Sequence, residues 1–134
     1  LKAYPPSYYR EVLRLEGDCR SELFLATAGA ETVAAALLVR FGATAVYLYA
    51  ASAAGYGKLN APTYTLWSAV RAAKADGARR FDLGGVSRTN PRWAGVTKFK
   101  ESFGGTAVTY DGAWDYVWQR PWYLLYRAAK TFVR

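Results

Sequence analysis

The chain has 134 residues, 52% hydrophobic and 21% charged, a balance that suits one folded domain rather than a disordered chain. It holds no histidine and a single cysteine, Cys19, which excludes Ser-His-Asp and Cys-His catalysis within the chain, an intrachain disulfide and the usual zinc ligand sets. The net charge of +8 is one-sided, with 6 basic against 5 acidic residues over Leu1–Trp67 and 12 against 5 over Ser68–Arg134, which favours polyanionic partners such as RNA, nucleotide phosphates or anionic lipid.

No apolar run approaches the roughly 20 residues that span a bilayer. No signal peptide is visible, and the chain opens on Leu1, which fits a fragment or a processed product. Pro5 and Pro6, with Tyr9, Val12 and Leu13 behind them, predict a short helix over Ser7–Glu16, stopped by Gly17. Glu22–Ala28, Thr32–Arg40 and Ala45–Ala51 are apolar runs separated by Gly29-Ala30 and Gly42-Ala43, which predicts an antiparallel meander of three strands.

A glycine-bearing loop over Ala53–Pro62 leads into a predicted helix over Pro62–Asp76, with Asn60 as its cap. Leu66, Trp67, Val70 and Ala73 are its expected apolar face, and Gly77 its stop. A strand over Arg80–Leu83, ended by Gly84-Gly85, precedes a polar loop and a short helix over Val96–Phe103. Strands over Ala107–Tyr110 and Ala113–Trp118, joined by Asp111-Gly112, are expected next. Trp122, Leu125, Tyr126, Ala129, Phe132 and Val133 recur at helical spacing, so Pro121–Arg134 reads as an amphipathic helix, with Arg127, Lys130 and Arg134 on its opposite face. This order of elements suits a mixed α/β sheet.

Chemistry concentrates in one stretch. Phe81-Asp82-Leu83-Gly84-Gly85 ends a strand in a double-glycine break, and Lys98-Phe99-Lys100 follows, before Phe103-Gly104-Gly105. A Gly-Gly break lets the backbone turn sharply or a ligand approach closely, and the lysines supply cations for an anionic substrate. With no histidine present, a general base must be a carboxylate, tyrosine, lysine, water or a group on the substrate.

Four segments resemble the FemABX family of aminoacyl-tRNA-dependent peptidyltransferases that build peptidoglycan cross-bridges. They are Tyr47-Leu48-Tyr49-Ala50-Ala51-Ser52, Asn60-Ala61-Pro62-Thr63-Tyr64 with Leu66-Trp67, the crossing from Lys74 to Gly85, and Lys98-Phe99-Lys100 with Phe103-Gly104-Gly105. The likeness runs from about Glu22 to the C-terminus. It implies a GNAT-like α/β fold, a mixed and largely antiparallel sheet flanked by helices. Family members carry two such domains. This chain, a single domain over residues 1–134, resembles the C-terminal one, which leaves open a missing N-terminal GNAT-like domain or a homodimer. The arginine- and glycine-rich pyrophosphate loop of coenzyme-A-dependent relatives has only a partial counterpart in Ala54-Gly55-Tyr56-Gly57-Lys58.

The resemblance implies transfer of an amino acid from aminoacyl-tRNA to a side-chain amine of a nucleotide- or lipid-linked peptidoglycan precursor, in the cytoplasm or at the inner face of the membrane, without metal or redox cofactor. Lys100 is the first catalytic candidate, as the cation at the donor or precursor phosphates. Asp82 is the second, as acceptor of the amine's proton if buried, or else as a cap or a partner of Arg79 or Arg80. Lys98, Phe99, Gly84, Gly85, Tyr49, Tyr56 and Tyr64 are candidates for substrate contact; Phe99 reads first as core, Tyr49 and Tyr64 equally as core, and Tyr56 as an exposed loop residue placed here by its spacing alone. Arg127, Lys130 and Arg134 are either a solvated face or a contact to tRNA or membrane. Trp93, Trp114, Trp118 and Trp122 read as core or domain-interface residues, with base stacking as the alternative. An acyl-CoA-dependent N-acyltransferase and a non-catalytic, dimerising half-domain are the competing functions.

Overall fold

Central strand β2 (Glu31–Phe41) buries Val33, Ala34, Ala36, Leu37, Leu38 and Arg40, and so organises the sheet. A strand covered on both faces is apolar along its length instead of alternating. The computed structural model describes residues 3–132. Two compact units are present, Leu1–Phe103 and Gly104–Arg134.

In the first unit, α1 (Pro6–Leu13) precedes β1 (Cys19–Ala28), β2 and β3 (Thr44–Ser52). These three strands pair antiparallel in sequence order, as predicted. Gly29 and Gly42, at φ of +62° and +53°, make the two tight turns, a conformation in which glycine carries no Cβ penalty. Helix α2 (Ala61–Ala75) then crosses over to β4 (Arg80–Asp82), which lies parallel to β3 in the register Thr44↔Arg80 to Val46↔Asp82. The result is a four-stranded mixed sheet in the order β1-β2-β3-β4.

Ala69 and Ala73 of α2 pack on Ala36, Leu38 and Ala45, with Phe24, Tyr47 and Phe81 around them. Leu38 and Leu66 are fully buried. Two details of α2 differ from the sequence reading. Asn60 sits at φ 49° and makes no side-chain cap, so its left-handed backbone, not its amide, turns the chain into the helix. Trp67 is 53% exposed, because Ala61, Thr65, Leu66, Ala69 and Ala73 set the buried stripe.

Arg40 is buried where β2 meets the end of α2. Its guanidinium pairs with the Asp76 carboxylate, donates to the Asp76 main-chain oxygen at 2.9 Å and reaches Glu22 at 3.4 Å. Arg20 adds a contact to Asp76 at 3.3 Å.

β3 carries one extra residue. Leu37 pairs with Tyr49 and Leu38 with Tyr47, which leaves Leu48 in a bulge. Cross-strand partners share a face, so the bulge sends Tyr47 toward α2 and Tyr49 to the opposite face, where Tyr8 of α1 meets it. Without the bulge, these two tyrosines, two positions apart, would share a face.

Helix α3 (Ala94–Glu101) closes the first unit. In the second unit, residues 105–117 have no regular structure, and α4 (Arg120–Phe132) follows. The strands expected at Ala107–Tyr110 and Ala113–Trp118 do not form. Their residues are exposed, and an isolated two-stranded ribbon is at best marginally stable. Trp114, Trp118 and Trp122 are exposed as well, so they are not core residues, and Trp93 is 39% exposed. Val133 and Arg134, and the side chain of Phe132, lie outside the described residues.

Candidate functional site

The double-glycine bend begins where β4 stops pairing with β3. Asp82 is exposed, and its Oδ1 accepts a hydrogen bond from Gly84 N–H at 2.7 Å. Of the two structural alternatives, the carboxylate takes the cap rather than the pairing with Arg79 or Arg80, and exposure removes the burial on which a role as base was premised. Gly84 has φ +71°, a region that side-chain-bearing residues rarely adopt. A methyl group there would lie 3.5 Å from Lys100 Nζ and 3.6 Å from the Tyr47 carbonyl oxygen. Three segments thus converge at the bend: the middle of β3, the end of β4 and α3.

Lys100 Nζ donates to the Gly85 carbonyl at 2.8 Å. Partial burial lowers its pKa below that of an ordinary lysine, and the Asp82 carboxylate opposes that shift. Three contacts tie α3 to the loop after the bend. Thr97 is buried; its hydroxyl donates to the Ser87 carbonyl at 3.0 Å and accepts from Ser87 N–H at 3.1 Å. Arg88 meets Glu101 Oε1 through Nε at 3.1 Å and Nη2 at 2.9 Å. Lys100 supplies the third. Thr97, Lys100 and Glu101 stand at i, i+3 and i+4, one face of a helix. Lys98 is off that face and exposed, and Phe99 packs edge-to-face on Phe103 at 5.4 Å between centroids.

The bend therefore brings together Lys100, Asp82, Gly84 and Gly85. It does not gather the tyrosines. Tyr49 lies among Tyr4, Tyr8 and Tyr9, with its hydroxyl 3.0 Å from that of Tyr8. That hydrogen bond first, then desolvation and the neighbouring phenols, push its pKa up to about 12. Tyr56 donates to the Glu31 carboxylate, which raises its pKa. Tyr64 is 68% exposed on α2. Among the described residues, no hydrogen bond links these three to Lys100 or the glycines.

Reading the sequence for charge and glycine missed Thr97, Ser87, Arg88 and Glu101, which set the loop and the helix against each other. The i, i+3, i+4 pattern of Thr97, Lys100 and Glu101 was the available signal.

The family model described as the FemAB family matches residues 16–131, from just after α1 into α4. No curated protein and no solved structure matches the chain. With the match covering most of its length, the chain belongs to the FemAB family, whose members are transferases of peptidoglycan cross-bridge formation.

Proposed function

We propose that this chain is a GNAT-like domain of an aminoacyltransferase that moves an amino acid from aminoacyl-tRNA to a side-chain amine of a peptidoglycan precursor, nucleotide- or lipid-linked. Family membership supports the reaction class. The observation that supports Lys100 as its centre is the ammonium held against the Gly85 carbonyl, beside Asp82 and Gly84.

In this reading the amine nitrogen adds to the ester carbonyl of the donor, and the carbonyl oxygen becomes an oxyanion. Collapse of that intermediate forms the amide and expels the ribose oxygen of the tRNA, which takes a proton. An ammonium has three N–H donors, and Gly85 takes one. The remaining donors stabilise the oxyanion, or a phosphate of the donor. Asp82 acts on Lys100 by keeping it charged, and the proton released by the amine passes to water or to a group on the substrate. Gly84 and Gly85 form the floor that lets a substrate approach the backbone, and Lys98 is a second cation for phosphate. The chemistry requires aminoacyl-tRNA and therefore runs where tRNA is charged, in the cytoplasm. No helix of the described residues is long and apolar enough to cross a membrane.

The test is donor choice in the native protein. Labelled aminoacyl-tRNA and labelled acyl-CoA are offered separately, with a precursor that carries a free side-chain amine. Transfer from tRNA that ribonuclease abolishes supports the reading. Transfer from the thioester alone contradicts it, as does absence of transfer from either donor.

A further inference from the structure

We propose that α4 is an interfacial helix that lies in the plane of an anionic lipid surface. The observation is a complete segregation of side-chain types around one helix. Over residues 120–131, at 100° per residue, Arg120, Arg127 and Lys130 fall within an arc of about 80° that otherwise holds only Tyr123, with Thr131 about 20° beyond it. Pro121, Trp122, Leu124, Leu125, Tyr126, Ala128 and Ala129 fill the rest. The helix has no acidic residue. Trp122 is 69% exposed, and Leu124, Leu125 and Tyr126 are exposed with it.

Such a face needs a partner that takes apolar area and cations together. An interface of a folded protein depletes charge at its core and would need carboxylates to meet three cations. A nucleic-acid backbone takes the cations but not a broad face of Trp122, Leu124 and Leu125. A bilayer boundary takes both, with acyl chains below and headgroup phosphates above. Tryptophan and tyrosine settle at that depth. Lys130 Nζ lies over the Tyr126 ring, 5.6 Å from its centre, so cation and aromatic face meet at the border between the polar and apolar arcs. A helix of 13 residues is about 20 Å long, too short to cross the bilayer and suited to lying on it.

The experiment uses the full 134-residue chain, with vesicles of phosphatidylcholine alone and of phosphatidylcholine mixed with phosphatidylglycerol. Co-sedimentation and the blue shift of tryptophan emission are read together. The expected result is strong partitioning to the anionic vesicles, weak partitioning to the neutral ones, and release by raised salt. Leu125→Glu abolishes binding to both. Arg127→Gln with Lys130→Gln, surface changes that leave the helix intact by circular dichroism, weakens binding to anionic vesicles roughly 30-fold and leaves neutral-vesicle binding unchanged. Equal partitioning to the two compositions overturns the proposal. So does a dimer that hides α4 and is dissolved by Leu125→Glu. Binding of RNA through Arg127 and Lys130 with none to vesicles overturns it as well. None of these outcomes depends on transferase activity.

Discussion

Lys100 and Gly85 stand fifteen residues apart and are joined by a 2.8 Å hydrogen bond from the lysine ammonium to the glycine carbonyl. The bond ties a helix to the glycine bend across the intervening loop. The bend exposes a carbonyl, α3 is held over it by Thr97 and Glu101, and the lysine between them reaches that carbonyl. Lys98, two residues away, has no such constraint and faces solvent.

Asp82 raises the pKa of Lys100 against the lowering by burial. Asp82→Asn therefore lowers the Lys100 pKa further. If the cation is the active form, activity falls as pH rises through the Lys100 pKa. The basic limb of the native rate profile then lies below the ordinary lysine value of about 10.4. In Asp82→Asn it moves to still lower pH. A basic limb in the same place in both proteins contradicts this coupling.

Gly84→Ala places a Cβ on a backbone at φ +71°. The strain costs about 1–2 kcal/mol. The new methyl also touches the Lys100 ammonium. Loss of stability in urea by that amount is expected, together with reduced transfer. Gly17→Ala carries a similar φ, +75°, with nothing within 4 Å, so it shows the strain without the loss of transfer.

Asp76→Ala removes the main ion partner of buried Arg40 and leaves Glu22 and one main-chain oxygen. A loss of about 1–3 kcal/mol is expected. Leu38→Ala, at a fully buried position, loses about 2–5 kcal/mol. Chemical denaturation checks both, and a neutral Asp76→Ala would show that the buried guanidinium is satisfied without it.

The Tyr8–Tyr49 hydrogen bond holds the Tyr49 phenol protonated up to about pH 12. A pKa raised in the fold gives stability that is present below the ordinary tyrosine value of about 10 and lost as pH rises through the raised one. The docking of α1 thus weakens between about pH 10 and 12. Tyr8→Phe brings the Tyr49 titration down toward 10, as read by phenolate absorbance. An unchanged titration contradicts the assignment.

The meander, the crossover helix and the family were legible because hydrophobic runs and paired glycines mark them directly. The bulge at Leu48 was not. Tyr47 and Tyr49 look equivalent by period, and only the pairing of Leu37 and Leu38 shows them on opposite faces. The meeting of Lys100 with the bend was legible from its place after Gly84-Gly85, whereas the role of Asp82 as base depended on burial that an exposed strand end does not supply. The missing strands over 107–118 have the right alternation and a turn between them, but a lone two-stranded ribbon is at best marginally stable, and alternation does not report that. Tyr49 and Tyr64 were candidates as substrate contacts and Tyr56 by its spacing in the loop; the hydroxyls of Tyr49 and Tyr56 meet Tyr8 and Glu31, and Tyr64 is exposed on α2.

The most direct measurement is amino-acid transfer from aminoacyl-tRNA by the native protein, by Lys100→Met and by Lys98→Met, at saturating acceptor. Loss of one oxyanion donor slows turnover by about 10²–10³. That loss is predicted for Lys100→Met with folding unchanged, while Lys98→Met shows a smaller effect confined to donor affinity. Native turnover by Lys100→Met would contradict the account.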